Sequence, residues 1–510
     1  MFSQCSVRLR ATVPLMLLLA GSGPWLRAHA QQRAPAVETI KLDPTKNFGT
    51  WEGWGSSLAW WARAIGGTAN ADYYADLIYT TKTIGSYPGL GLNIVRYNVG
   101  GGGIEQPKEN KGPKLQWRMD IHGYWDDPNS SDPATWKWAA DENQRSMMQR
   151  ARRRGANVFE MFSDSPMWWM NKNRSTAGSN TGGDCLTPEN YDRFTFYLAS
   201  VARYSADHWG TKFDSVEPFN EPSADWWKYP SRQEGCHFDV ATQQKILESL
   251  RRALDREHLN DVAVAAADEN NMDAGLKTWK AYEVGPSLIG LVNVHGYSNG
   301  TEPYQGPNRV ELRHAVGNKR LWQSEYGDGD ASGYTMAQQI VRDVKELQPN
   351  AWVYWQPVEP DAPEYGWGLI NANYIDTHDQ MSAEETPLVR VNRKFYVYGQ
   401  FTRYLRPGSQ LIGIDEIHSI AAYDRGSHKL AIVKVTGNAP ETAQLDLSSF
   451  SVVGDTVQLI ATTTAPSAGV PDWKQHMEKV KIESRGGQTL VAVHLYPKSI
   501  YTLVIEAILR

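Results

Sequence analysis

The stretch YDRFTFYLASVARYSADHWGTKFDSVEPFNEP, residues 191–222, reads as one helix followed by one strand. Phe194, Tyr197, Leu198 and Val201 recur at three- and four-residue spacing, so Tyr191–His208 is an amphipathic helix. Ser215–Phe219 is a short strand that runs straight into Asn220-Glu221. The same alternation extends in both directions. Seven more strands are expected at Trp51–Ser56, Asn93–Asn98, Asn157–Ser163, Val262–Ala267, Leu291–Tyr297, Leu321–Glu325 and Ala351–Pro357. Ala241–Glu257 and Thr335–Leu347 read as further helices between them. Several strands are near-continuous apolar runs, as strands buried on both faces must be. Eight strands alternating with helices predict an α/β chain folded as a (β/α)8 TIM barrel with long βα loops.

After Pro407-Gly408 the pattern changes. Short alternating runs follow at His418–Tyr423, Lys429–Thr436, Thr442–Leu447, Val457–Thr463, Val480–Ile482, Thr489–Tyr496 and Tyr501–Ile505, separated by turns such as Gly437-Asn438 and Gly486-Gly487. These predict an appended antiparallel β-sandwich domain. Val37–Leu42 is expected to add a strand to it. The expected organisation is a leader over 1–30, an N-terminal strand within 31–45, a barrel over 46–407 and a sandwich over 408–510.

Arg8 and Arg10, the apolar run Ala11–Ala20 and the small-x-small triplet Ala28-His29-Ala30 have the order of a secretory signal peptide. No later stretch approaches 18 apolar residues, so a soluble, extracellular protein without membrane spans is expected. The 510-residue chain carries a net charge of −5, and losing the leader would remove three arginines and no acid. An acidic surface argues against nucleic acid, whose phosphates demand a basic face. The leader takes one cysteine with it and leaves Cys185 and Cys236, which an oxidising compartment would pair as a disulfide. Neither Cys nor His has metal-ligand spacing, and no metal or cofactor is expected. Sequons stand at Asn129, Asn173 and Asn299. The run Arg152-Arg153-Arg154 fits the solvated end of a helix rather than an anion site.

In a barrel of this kind, chemistry gathers at the C-terminal strand ends. The fourth strand ends in Glu217-Pro218-Phe219-Asn220-Glu221-Pro222 and the seventh in Trp322-Gln323-Ser324-Glu325-Tyr326-Gly327. Two carboxylates nearly opposite one another are what cleavage of a glycosidic bond requires. One protonates the leaving oxygen and the other attacks the anomeric carbon. The chain also holds 20 tryptophans, several near strand ends, and flat rings stack on the C–H faces of sugars. For most of them core packing is the default.

The pair Asn220-Glu221 and the strand-end Glu325 resemble the clan of barrel glycosidases with acid/base on strand four and nucleophile on strand seven. The stretches Glu52–Ser57, Asn93–Asn98, Ser163–Met170 and Lys394–Phe401 narrow the resemblance to glycoside hydrolase family 30, most like its endo-β-1,6-galactanases. That resemblance implies a secreted, retaining O-glycosyl hydrolase acting on β-1,6-galactan side chains of type II arabinogalactan, as a monomer. It implies Glu221 as acid/base and Glu325 as nucleophile, with Asn220 on the sugar 2-hydroxyl and Arg96 holding Glu325 ionised. His295 and Tyr297 are expected to orient the nucleophile or the sugar. Trp355 is the expected platform under the −1 sugar, the one whose anomeric carbon reacts. Trp54, Trp168 and Asp164 complete the expected substrate-binding set, while Asp268-Glu269 reads as a solvated rim. Other substrates within the family (a β-1,6-glucan, a xylan or a β-glucoside) and a non-catalytic carbohydrate-binding protein are the alternatives.

Overall fold

The first strand, β1 (Val37–Thr50), leads into eight short strands: β2 (Gly53–Ser57), β3 (Ile94–Asn98), β4 (Val158–Phe162), β5 (Ser215–Glu217), β6 (Ala263–Glu269), β7 (Leu291–His295), β8 (Leu321–Tyr326) and β9 (Ala351–Tyr354). The computed structural model describes residues 37–103, 118, 120–283, 287–297, 308–360, 366–372, 374 and 388–510. Strands β2 to β9 pair in parallel with their chain neighbours, and β9 closes on β2, so the expected eight-stranded barrel forms in sequential order. Helices follow each strand: α1 (Ala59–Ile65) and α2 (Ala71–Tyr79) after β2, then α3 (Glu142–Arg153), α4 (Tyr191–Tyr204), α5 (Val240–Arg256), α6 (Met272–Ala281), α7 (Asn308–Val316), α8 (Tyr334–Arg342) and α9 (Arg393–Thr402).

Local chemistry explains several boundaries. Phe194, Tyr197, Leu198 and Val201 of α4 are all buried, as their spacing demands. The helix then widens into a π-turn over Ser205–Trp209 and stops at Gly210, whose φ of 67° suits a residue without a side chain. Strand β5 ends after Glu217 because Pro218 has no N–H to continue the ladder.

The barrel interior is layered. Ile94, Ala265, Leu291, Trp322, Ala351 and Val353 form an apolar plug near the strand starts. Further along, Arg96, Glu160, Glu217, Asn293 and His295 make a fully buried polar layer. That layer supports the C-terminal rim, where barrel sites are built.

After β9 come a small sheet, β10 (Val358–Pro360), β11 (Ile370–Ala372) and β12 (Leu388–Val391), and then the strands of the second module. These are β13 (Gln410–Ile414), β14 (Ser419–Asp424), β15 (Lys429–Val435), β16 (Glu441–Asp446), β17 (Phe450–Val452), β18 (Thr456–Thr463), β19 (His476–Lys481), β20 (Glu483–Arg485), β21 (Gln488–Leu495) and β22 (Ser499–Leu509). The hydrogen-bonded order is β19-β18-β22-β15-β14-β13-β1-β16-β21-β20, with β17 on β22. β1 joins the two halves: Val37–Lys41 run parallel to β16, and Leu42–Thr50 run antiparallel to β13 with register shifts on either side of Asn47. Ile40, Leu42, Ile432, Leu445, Val491 and Leu503 from both halves share one core, as in a sandwich. The β1–β16 pair is the parallel exception to the expected antiparallel pattern.

Barrel and sheet are tied by α9 and α8. Gln400 donates to Thr462 Oγ1 at 2.8 Å, Thr502 Oγ1 donates to the Gln400 carbonyl at 2.9 Å, and the Tyr334 hydroxyl donates to the Thr436 carbonyl at 2.7 Å. Among the described residues no helix is long and apolar enough to cross a membrane. The leader and Asn299 lie outside the described residues. Asn129 is exposed, and Asn173 uses its amide on the Gly178 carbonyl at 2.8 Å.

The expected Cys185–Cys236 disulfide is not formed; both are buried free thiols. Burial and the neighbouring Cys185 raise the Cys236 thiol well above its ordinary value, away from the thiolate that disulfide exchange requires.

Candidate active site

The fourth and seventh barrel strands bring Glu221 and Glu325 to one cleft. A carboxylate oxygen of each, with a ring nitrogen of His295, all lie within 4.8 Å of one another. The cleft has a volume of about 740 Å³, and its wall includes Asn220, Tyr297, Trp60, Trp355, Trp226 and Trp367.

Glu221 sits where the chain bends off β5, with φ +50°, a left-handed conformation that costs a non-glycine residue energy unless neighbours enforce it. They do. Its N–H donates to the Asp268 carbonyl at 2.9 Å, and its own carbonyl accepts from Trp227 Nε1 at 2.9 Å. The side chain is aimed by Asn270, which donates to Oε1 at 2.7 Å, and by His295 Nδ1 at 3.2 Å from the same oxygen. No described residue bonds Oε2.

Glu325 is held on both oxygens. The Tyr297 hydroxyl donates to Oε1 at 2.9 Å, and Arg96 Nη1 donates to Oε2 at 3.0 Å. Burial raises its carboxyl above the ordinary value, while the His295 and Arg96 cations pull the other way and Glu221 adds to the rise.

Beneath the pair, Arg96 spans the barrel. Its Nε donates to Glu160 at 3.0 Å, its Nη2 to Asp268 at 2.6 Å, and its guanidinium lies 4.1 Å above the Phe162 ring. Desolvation works against the guanidinium charge, but Asp268, Glu160 and Glu325 outweigh it and raise its pKa. His295 Nε2 stands 3.2 Å from Asp268 Oδ2, and Nδ1 stands 3.6 Å from Glu325 Oε1. Burial disfavours its charge, yet Glu325 and Asp268 lift its pKa well above the ordinary value, which favours the imidazolium form. Asp268 is held down at about 2 against burial by Arg96 and His295, and Ser324 Oγ also donates to it. Burial first, then Asp268 and Glu160, push the Glu217 carboxyl well above its ordinary value. Arg96 and His295 thus stand among Glu160, Asp268 and Glu325, with Glu217 biased toward its neutral form.

The expected residues divide accordingly. Glu221, Glu325, Asn220, Tyr297 and Trp355 meet at the cleft. Asn220 Oδ1 is buried without a hydrogen-bond partner among the described residues, as an acceptor awaiting a hydroxyl would be. Trp355 meets Trp60 edge-on at 5.2 Å. Arg96 and His295 are fully buried and act on the carboxylates, so they position groups rather than bind substrate. Asp164 is also buried, with Asn98 donating to Oδ2 at 2.6 Å, and its carboxyl is pushed up to about 8 by burial first and then by Glu325. Trp168 is half-buried away from the cleft wall under Arg174, whose guanidinium lies 4.9 Å above the ring.

Two expectations are corrected. Trp54 is core: it is fully buried, donates Nε1 to the Leu405 carbonyl at 2.7 Å and packs on Trp51, Trp352 and Tyr398. Asp268-Glu269 is not a solvated rim; both residues are buried, and Asp268 is a hub of the network because β6 runs on through them. Asn270, Arg118 and Trp60 were missed as contacts. Asn270 follows the misread acidic pair, and Arg118 stacks 3.9 Å over the Trp60 ring at the cleft wall.

Among the described residues, two groups bring three ligand-type side chains together: Asp184, His237 and Asp239, and the pair Glu221 and Glu325 with His295. In the second group, Glu221 Oε1 already accepts from Asn270, and the two Glu325 oxygens accept from Tyr297 and Arg96. In the first group, both Asp184 oxygens already accept, from the Asp239 N–H and the Thr242 hydroxyl, each at 2.6 Å.

Barrel, polar layer and paired carboxylates define an O-glycosyl hydrolase. Residues 37–280 match the family described as O-Glycosyl hydrolase family 30. The chain is 38% identical over 459 residues to an endo-beta-1,6-galactanase of Hypocrea rufa, covering 88% of this chain and 91% of that one. It is 25% identical to an exo-beta-1,6-galactobiohydrolase of Bifidobacterium longum subsp. longum, over 86% of this chain and 37% of that protein. The catalytic domain of GH30 xylanase C from Talaromyces cellulolyticus shares the fold, with a TM-score of 0.65 at 18% identity, over 92% of this chain and all of that domain. The chain belongs to glycoside hydrolase family 30.

Proposed function

We propose that the protein is a secreted, retaining endo-glycosidase that cleaves β-1,6-galactan linkages in the side chains of type II arabinogalactans. The observation that carries the mechanism is that one carboxylate oxygen of Glu221 lies within 4.8 Å of one of Glu325 across a single cleft. Retaining pairs stand about 5–5.5 Å apart, and inverting pairs, which must hold a water between them, about 6.5–9.5 Å. The preference for β-1,6-galactan rests on the relative at 38% identity, named for that activity. Secretion rests on the leader-like order of residues 1–30.

Glu325 attacks the anomeric carbon while Glu221, through the unbonded Oε2, passes its proton to the departing oxygen. A glycosyl ester on Glu325 results. Glu221, now ionised, takes a proton from water as that water attacks the same carbon and frees Glu325. Arg96 and Tyr297 hold the attacking carboxylate in line. Asn220 meets the 2-hydroxyl, and Trp355 backs the ring.

Glu325→Ala should abolish turnover of every glycoside. Glu221→Ala should lose polysaccharide hydrolysis by a factor of about 10² or more, yet keep activity on aryl glycosides with good leaving groups, which need little acid assistance. Near-normal polysaccharide hydrolysis by either variant would overturn the assignment. A product profile on β-1,6-galactan, β-1,3-galactan, β-1,6-glucan and xylan tests the substrate; oligomers mean endo action and a single small product means exo action.

A further inference from the structure

Trp226 and Trp227 follow the acid/base glutamate on one loop and take opposite roles. Trp227 is 2% exposed. Its Nε1 donates to the Glu221 carbonyl at 2.9 Å, and its own carbonyl accepts from the Ser179 N–H at 3.1 Å. Gly235 lies so close to it that a Cβ there would stand 2.1 Å from the ring. The backbone at this point is therefore fixed to the residue that handles the proton. Trp226, one residue earlier, is 48% exposed, and it is the one exposed tryptophan among the described residues. It lines the catalytic cleft together with Glu221. The ring it meets is that of Trp227, 6.2 Å away and tilted by 62°, and no described ring stacks on its faces. A flat apolar surface held open to water in a cleft gains free energy when another apolar face covers it.

The barrel decides which sugar that face belongs to. Glu221 follows the fourth barrel strand and Trp355 follows the eighth, and these strands stand opposite each other in a closed barrel of eight. In a retaining displacement the attacked ring lies against the nucleophile, and the departing oxygen leaves on the far side, beside the acid. Trp355 backs the ring that is attacked. The wall that runs on from Glu221 consequently belongs to the sugar that leaves. In a β-1,6 linkage the departing oxygen is carried on a methylene group, which adds a rotatable bond between the rings. That freedom must be frozen before the acid can reach the oxygen. A stacked ring face freezes it without demanding a particular hydroxyl pattern. Lys228, Ser231 and Gln233 on the same wall supply polar partners for hydroxyls.

We propose that Trp226 is the platform for the departing saccharide, stacking on the C–H face of the pyranose whose oxygen receives the proton from Glu221. The inference rests on the proposed retaining hydrolysis, and its galactan form on the proposed substrate.

Two substrates of the full chain separate the two sides of the cut. β-1,6-Galactotetraose releases a saccharide; β-1,6-galactobiosyl fluoride releases a single atom, with no ring to stack. The ratio of their kcat/KM values, taken on one preparation, does not depend on the fraction folded. Trp226→Ala should lower the ratio of tetraose to fluoride about 10- to 100-fold. Trp226→Leu, apolar but not flat, should fall with it, whereas Trp226→Phe should stay within about threefold of the unaltered protein. A ratio for Trp226→Ala within about twofold of the unaltered value, or equal ratios for Trp226→Leu and Trp226→Phe, overturns the platform. If the unaltered protein fails to cut β-1,6-galactan, the substrate reading fails instead. The same ratio, measured on an oligosaccharide of the polysaccharide it does cut and on the matching glycosyl fluoride, then decides Trp226.

Discussion

Asp164 illustrates what a single buried carboxyl does to such a site. Its ordinary value is 3.8, and the fold pushes it up to about 8, through burial first and then the repulsion of Glu325. Below about pH 4 it is protonated whether the chain is folded or not, and its contribution to stability is complete. As pH rises the unfolded chain ionises it while the folded chain does not, so stability is lost progressively until about pH 8. Asp164→Asn keeps the shape and an acceptor for Asn98 but cannot ionise. Denaturant unfolding should therefore show a shallower fall in stability between pH 5 and 8 for the variant, by a difference on the order of a few kcal/mol; parallel curves would contradict this. At this scale the sequence was partly readable. Glu221 and Glu325 stand out because each closes a strand end, whereas the role of Arg96 comes from the family resemblance. Asp268 and Asn270 do not stand out, since an acidic pair after a strand looks the same whether β6 stops before it or runs on through it.

Elements show why the barrel was legible and its partner sheet less so. Barrel strands buried on both faces leave near-continuous apolar runs, and all eight fell within a few residues of their expected bounds. The small strands β10, β11 and β20 did not register, because two or three residues carry no period. β1 was expected to end at Leu42, yet it runs to Thr50 across shifted register, where polar residues such as Asp43 and Asn47 mask the strand. This strand joins the two halves of the sheet, and Ile40 on it is buried in their shared core. Ile40→Ala should cost about 2–5 kcal/mol in denaturant unfolding. A cost below about 0.5 kcal/mol would mean that β1 is dispensable to the sheet.

For the whole molecule, barrel and sheet share hydrogen bonds through the buried Gln400, Thr462, Thr502 and Thr436 and the half-buried Tyr334. They should lose structure together. Ile432→Ala, in the sheet core and remote from Glu221 and Glu325, should leave catalysis at 25 °C intact but lower the temperature of heat inactivation in step with that of unfolding. Two separate transitions, with activity following only the upper one, would show that the barrel stands alone.

The placement of β1 also has a consequence in time. Val37 pairs with Thr442, about 400 residues further along the chain. A ribosome adding roughly 5–20 residues per second needs on the order of 20–80 s to cover that distance. For that interval the first strand has neither neighbour, its Ile40 and Leu42 uncovered while the barrel is being assembled. The newborn chain thus starts with an unfinished edge that only its last hundred or so residues can close.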